Sequence, residues 1–307
     1  MLRSDTGPIL VAGGDRDPNL RALVETLESR GEDVFFLQVG ADHNPWIAWD
    51  LASDRLTVDG EEVRPRAAFL RHDVFTNLAD GRRESAYRAA AWHTAVYGWV
   101  LAHEDVRMLN RWNRFPAANK PHALHLARQC GLAIPTTLIT NHLGRLDAFE
   151  ADRAKIVKPI NGGAHTQRLH EVVGNTQNRG GVAAAPAIVQ TELVPPEVRV
   201  FRVGDSFLAF KVLSEELDYR STQQTRVEPI PVPAGLAQGL GMLTDALGMD
   251  FGAADFKTCA ETGRPLFLEI NTSPMFAAFN AAGRGAVTGA MADYLTGRPA
   301  LRVTVAA

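Results

Sequence analysis

The stretch DFKTCAETGRPLFLEINTSP, Asp255 to Pro274, carries two acids and an amide at the far ends of two apolar runs separated by a turn. Glu261-Thr262-Gly263 suits a three-residue hairpin loop with the glycine in the left-handed conformation. Counting outward places Ala260 opposite Arg264, and therefore Asp255 opposite Glu269. Side chains alternate along a strand, so Asn271 shares the face of Glu269. Two carboxylates held side by side repel unless one is protonated or a cation lies between them. An oxygen-only donor set suits magnesium or manganese rather than zinc, and magnesium held by few protein groups usually completes its shell with phosphates. The strand ends in Ser-Pro because it stops where a ligand begins. A register slipped by one residue would instead leave Asp255 and Glu269 as ordinary exposed strand residues.

Upstream, AIVQTELVPPEVRVFRVGDSFLAFKVLS reads as a buried strand ending in Gln190, an irregular TELVPP segment, and a hairpin turning at Gly204-Asp205. Arg199, Arg202 and Lys211 interrupt its apolar residues, where a charge is costly unless it is paired or meets an anion. Arg199 and Lys211 are the better candidates for an anionic ligand; solvated edge positions would explain them equally well. Further upstream, AKIVKP is a strand carrying Lys158, and it empties into Asn161-Gly162-Gly163, whose bare backbone amides could meet a phosphate. Taken alone, that segment reads as a hairpin turn with an edge lysine.

The first third alternates strand and helix. Ile9–Ala12, Asp33–Val39, Ala67–Arg71 and Asp105–Asn110 read as strands, and Leu20, Leu23, Val24 and Leu27 mark a helix ended by Gly31. A long helical stretch runs from about Glu84 to Ala102. Such alternation implies a parallel sheet covered by helices. Gly13-Gly14 lacks the spacing of a dinucleotide-binding loop and is read as a tight strand-to-helix turn. RWNRFPAANK (Arg111–Lys120) is a linker before a new helix with Ala123, Leu126, Ala127 and Cys130 on one face, ended by Gly131.

At 307 residues, with net charge −3 and 46% hydrophobic residues, the chain is of globular composition and long enough for two or three domains. The 32 Lys and Arg are dispersed, which gives nucleic acid no basic footprint. No apolar run reaches membrane-spanning length and the N-terminus lacks a signal-peptide core, so a cytoplasmic location and no membrane partner are expected. Cys130 and Cys259 form neither a disulfide framework nor a metal-ligand spacing and are expected to be buried thiols. No cysteine–histidine pair or Gly-x-Ser-x-Gly motif offers a nucleophile, and His122 with His125 sits on an ordinary helix face.

In combination these residues carry a resemblance. Lys158 before a glycine loop, IVQTEL with Glu197 seven residues after Gln190, then Asp255 with Glu269-Ile-Asn271 resembles the ATP-grasp superfamily of carboxylate-amine ligases, over most of the chain. NKPHALHLARQCGLAIPTTLITN, Glu197-x-Arg199 and Asp218-Tyr219-Arg220 are similar to the ribosomal-protein glutamate ligases and the microviridin-type (graspetide) peptide maturases. The resemblance implies an α/β (α+β) ATP-grasp fold in three parts: a Rossmann-like domain over 1–115, a central lid over 116–190 and a C-terminal domain over 191–307. It also implies that Lys120 and Lys158 contact ATP phosphates, that Gln190 meets the adenine edge with Glu192 beside it, and that Thr191 to Leu193 form the adenine hinge. Glu197 would hold the ribose. Asp255, Glu269 and Asn271 match the metal ligands (Mg2+ or Mn2+), and Arg199, Lys211 and Arg220 surround the phosphates and the acyl intermediate. Arg71 in FLRHD matches the first residue of a paired-arginine motif that contacts peptide substrate; His72 stands at the second position.

The expected activity is ADP-forming ligation. A carboxylate attacks the terminal phosphoryl group of ATP to give an acyl phosphate, and an amine or hydroxyl then displaces phosphate. The acyl donor is either a peptide, modified or extended by the enzyme, or a small amino or carboxylic acid of specialised metabolism. A phosphotransferase using the same ATP site is a further alternative. Oligomeric state is open, a closed twofold homodimer being common for enzymes of this size.

Overall fold

A computed structural model describes residues 6–40, 43–74, 82–114, 119–149, 152–161, 165–213 and 226–298. The chain forms two compact units. The first comprises the described residues of Met1–Trp112, Val203–Ser206 and Met275–Thr304; the second comprises those of Asn113–Arg202 and Phe207–Pro274.

In the first unit, β1 (Ile9–Gly14) is followed by helix α1 (Pro18–Ser29) and β2 (Val34–Val39). A small antiparallel sheet of β3 (Ile47–Asp50), β4 (Arg55–Val58) and β5 (Glu61–Glu62) precedes β6 (Ala67–Leu70), helix α2 (Arg83–Ala102) and β7 (Arg107–Met108). The main sheet is parallel, in the order β2-β1-β6-β7, as the strand–helix alternation requires. α1 starts where its sequence says it should. The Asp17 carboxylate accepts from the Asn19 amide at 2.8 Å and Pro18 occupies the first turn, where its missing N–H costs nothing. Leu20, Leu23 and Leu27 are fully buried beneath that cap. Trp99 of α2 packs with Leu10, Leu37, Ala68 and Val100 in the core of this unit.

Two C-terminal helices, Ala277–Ala282 and Ala286–Thr296, pack on α1 in the same unit, whereas the sequence reading runs a third domain to residue 307. The reason is local chemistry. Asn19 Oδ1 accepts from the amides of Phe276 and Ala277 at 2.6 and 2.7 Å, and Arg30 pairs with Asp293 at 2.7 Å.

The second unit holds two sheets. In one, β9 (Lys155–Pro159), β8 (Thr137–His142) and β11 (Asn178–Arg179) all pair with β12 (Val182–Thr191), and β10 (Gln167–Arg168) lies outside β9. The other runs β15-β14-β13-β16-β17, from β13 (Val194–Val203), β14 (Ser206–Leu213), β15 (Arg226–Ile230), β16 (Phe251–Thr258) and β17 (Pro265–Asn271). The β13–β14 turn is Gly204-Asp205, with Gly204 at φ +56°, as the sequence predicts. Helices α3 (Lys120–Gln129) and α4 (Leu236–Leu247) contribute Ala123, Leu124, Ala127, Leu240 and Leu243 to a core shared with Phe256, Phe267 and Ile270.

The thiols depart from expectation: Cys130 and Cys259 are half-buried, not buried. No helix among the described residues is long and apolar enough to cross a membrane.

Candidate functional site

The β16–β17 hairpin puts Asp255 directly opposite Glu269, by a route different from the one the sequence suggests. Cys259 and Arg264 close the loop, with Cys259 N–H donating to Arg264 O at 2.9 Å, so the loop is four residues long, Ala260–Gly263. Thr258, Lys257 and Phe256 then face Pro265, Leu266 and Phe267. Continued without interruption, this register would set Asp255 against Leu268 and turn Glu269 toward the core. A bulge between Phe267 and Glu269 absorbs one residue and restores the pairing of Asp255 with Glu269, Ala254 with Ile270 and Ala253 with Asn271. Its consequence is a reversal of phase. Phe267 and Ile270 both enter the core, while Glu269 and Asn271 share the opposite face with Asp255.

On that face the charges are interlocked. Arg199 of β13 grips Asp255 through Nε and Nη2, both at 2.7 Å, in a buried bidentate pair. Asn271 Nδ2 approaches Asp255 Oδ2 at 3.5 Å. Lys120, in the first turn of α3 behind its Asn119 cap, reaches Glu269 Oε2 at 3.1 Å. Burial pushes the Lys158 ammonium below the ordinary lysine range, partly offset by the Glu269 and Glu197 carboxylates. Glu197 is pushed the other way, up to about 7, chiefly by burial and then by the Asp255 charge, against the pull of Lys257, Arg199 and Lys158. The structure thus brings Lys120, Lys158, Glu197, Arg199, Asp255, Glu269 and Asn271 into one electrostatic neighbourhood within the second unit.

Lys257 belongs to that neighbourhood and was missed. It lies two residues along β16 from Asp255, on the same face, and is only 8% exposed. The alternation that paired Asp255 with Glu269 would also have found it, since a lysine inside a buried strand needs counter-charge.

At the end of β12, Gln190 is 1% exposed; its Nε2 donates to Thr137 Oγ1 at 3.0 Å, while its Oε1 and the Thr191 hydroxyl are buried without hydrogen-bond partners among the described residues. The amides of Thr191 and Glu192 donate to the carbonyls of Thr136 and Ala154 at 3.2 and 2.8 Å, and Leu193 is buried beside them. The Glu192 carboxylate is held by Arg168 at 3.1 Å. Lys211 stands opposite Glu228 on the edge pair β14–β15. Arg202, the third basic residue of the hairpin, is tied to Asp245 and Thr244 of α4 and serves the scaffold.

Arg71 lies in the first unit and is 3% exposed. Asp17 accepts from its Nε at 2.8 Å, the Met275 sulfur stands 3.4 Å from its Nη2, and the Phe276 ring lies 5.8 Å beneath it. Arg220, with Asp218, Tyr219 and the Gly162-Gly163 pair, lies outside the described residues. No cluster of three His, Cys, Asp or Glu side chains able to hold a metal occurs among the described residues. The oxygen set singled out in the sequence has two carboxylates and a carboxamide.

No protein-family model matches the sequence, and no curated protein matches it. Solved structures do. The ATP-grasp ligase PsnB, complexed with a phosphomimetic variant of its minimal precursor, Mg and ADP, matches at TM-score 0.74 and 24% identity over 95% of this chain and 98% of that one. The macrocyclase MdnC from Microcystis aeruginosa MRC, bound with precursor peptide MdnA, matches at TM-score 0.74 and 19% identity over 94% and 99%. The VanG D-Ala:D-Ser ligase from Enterococcus faecalis matches at TM-score 0.58 and 12% identity over 95% and 99%. The chain has the ATP-grasp fold, as the resemblance implied.

Proposed function

We propose that the protein is an ADP-forming ligase that activates a carboxylate with ATP and joins it to an amine or hydroxyl on a peptide. The observation that carries this reading is the interlocked face of β16 and β17: Asp255 opposite Glu269, with Asn271, Arg199, Lys120 and Lys158 gathered around them. The preference for a peptide is supported by the higher structural similarity to ligases solved with precursor peptides, TM-score 0.74 against 0.58 for the D-Ala:D-Ser ligase.

Adenine would sit against β12, where the unpartnered Gln190 Oε1 can accept from its exocyclic amine. Because the Thr191 and Glu192 amides are already engaged, we assign the hinge donor to the Leu193 amide. Arg168 occupies the Glu192 carboxylate, so that side chain reads no adenine edge in this assignment. Glu197 would accept from the ribose hydroxyls. Lys158, with its charge destabilised by burial, gains most from the phosphates, since an anion restores the charged form. Lys120 would exchange its partner Glu269 for phosphate oxygen.

Asp255, Glu269 and Asn271 fit a hard divalent cation in donor type and charge, and would hold magnesium. Bound there, magnesium would neutralise charge on the transferring phosphoryl group. Arg199, oriented by Asp255, with Lys211 and Arg220, would stabilise the acyl phosphate and the later tetrahedral oxyanion. In the first step the substrate carboxylate oxygen bonds to the terminal phosphorus as ADP leaves; in the second, the amine or hydroxyl adds to the acyl carbon as phosphate leaves. Within the second unit we assign residues 116–190 as the lid and the strands between 191 and 274 as the sheet carrying the metal ligands. Arg71, closed by Asp17, would act by shaping the first unit and not by direct contact with a peptide.

The test is mass spectrometry of the protein with ATP and magnesium against two pools, short acidic peptides and small amino and carboxylic acids. ADP with peptides that lose water or gain a residue is the expected result. ADP with a new small amide would transfer the assignment to metabolite ligation, and a phosphorylated product without condensation would replace ligation by phosphoryl transfer.

A further inference from the structure

The first unit holds a pocket of its own, at the carboxyl ends of β1, β2 and β6 and against α2. The order of this sheet reverses at β1, which has β2 on one side and β6 on the other. Ligands of open parallel sheets bind outside the carboxyl ends of the strands at such a reversal. The floor is apolar, with Leu37, Leu70 and Val96, and the enclosed volume is about 30 Å3, room for a group of roughly two water molecules. One face of α2 supplies Arg88, Trp92 and His93 to the wall, and the Trp92 indole is held at the exposed rim by Asn44 at 3.2 Å.

Every other charge at this pocket has a partner. Arg71 is paired with Asp17, and the Asp73 carboxylate is also engaged. His93 stacks on Tyr97 and meets His72 edge-on, and burial followed by the His72 charge pushes its titration down, which favours the neutral ring. Arg88 differs: its Nη2 is buried and has no hydrogen-bond partner among the described residues. Arg88 as a whole is half-buried, yet a buried N–H without an acceptor is costly. An anion in the pocket would supply the missing partner.

We propose that this pocket binds a carboxylate carried on a short apolar stem, with Arg88 as its counter-charge. The carboxylate, with two oxygens, would fill the space and meet Arg88, and the stem would leave past the apolar wall toward the exposed rim at Trp92. All lining residues belong to the first unit, so the proposal uses none of the residues assigned to ATP. The same carboxylate could arrive on an acidic peptide side chain or on a free acid.

The experiment is calorimetric titration of the full chain, without nucleotide, with propanoate and with its uncharged isostere propanamide. Propanoate should bind saturably and propanamide at least about tenfold more weakly, as loss of a charge-assisted hydrogen bond requires. Arg88→Met should abolish propanoate binding and leave magnesium–ATP binding unchanged. No saturable propanoate binding, equal affinity for the amide, or undiminished binding by Arg88→Met would each overturn the proposal. The first two need no variant to fold. Glutamate and its N-acetyl amide then identify the source: tighter binding of the capped form marks a peptide side chain, tighter binding of the free form a small metabolite. Failure of wild-type protein to bind ATP would count against the ligase reading alone.

Discussion

The β16–β17 face of the second unit and the α2 pocket of the first both bury arginine, and they treat it in opposite ways. On the β16–β17 face each acid is matched by a base: Asp255 with Arg199 at 2.7 Å, Glu269 with Lys120 at 3.1 Å. In the pocket Arg71 is matched by Asp17, but Arg88 Nη2 is left unmatched. A matched cluster is stable without ligand and exchanges partners when one arrives; an unmatched charge holds a ligand at the expense of the empty fold. The comparison also separates positions that serve chemistry from positions that serve shape.

The largest expected effect is on the matched face. Glu269→Gln should lower ADP formation by at least about 100-fold, through loss of a metal carboxylate, with an unchanged circular dichroism spectrum. Full activity in that variant would remove the metal assignment. Next, Asp17→Asn should destabilise the protein by about 1–3 kcal/mol, because it removes a buried charged partner of Arg71 and weakens the cap of α1. Denaturant midpoints measure this, and a loss below about 1 kcal/mol would mean that Arg71 finds another partner.

The third effect is on pH dependence. Glu197 titrates near 7 in the fold against 4.5 for an ordinary glutamate. A raised carboxyl favours the folded state fully below its unfolded value, and that contribution is lost as pH climbs from about 4.5 through about 7. Glu197→Gln should therefore flatten stability over that window, raise it by roughly 1–3 kcal/mol at pH 8, and weaken ATP binding. Unchanged pH dependence would show that nearby cations fully compensate Glu197. The smallest effect is expected at Asp245, whose exposed carboxylate meets Arg202: Asp245→Ala should cost no more than about 1 kcal/mol, because Thr244 still accepts from Arg202.

Much of the architecture was legible from local signals: the strand–helix alternation of the first third, the Gly204-Asp205 turn, and the periodic apolar faces of the helices. The pairing of Asp255 with Glu269 was also reached, but through two compensating departures. The loop has four residues where three were counted, and the bulge at Leu268 restores the lost register. Neither is visible in spacing, because Phe267 must leave the alternation to fill a core supplied by α3 and α4. Lys257 was equally legible, since it shares the Asp255 face by strand alternation. Arg71 was read for its motif, and its closure by Asp17 lies 54 residues away in the chain.

The sequence by itself determined what one or two turns of backbone can specify: the Asp17-Pro18 and Asn119 helix starts, the left-handed glycines, and which residues along each strand share a face until a bulge intervenes. The physical reason is that covalent geometry and short-range sterics act within a few residues. Tertiary structure alone decided which buried charges are answered. Arg199 meets Asp255 across 56 residues, Lys120 meets Glu269 across a longer span still, and Arg88 Nη2 finds no hydrogen-bond partner among the described residues. Desolvation and Coulomb attraction depend on where distant segments come to rest, and only the packed chain fixes that.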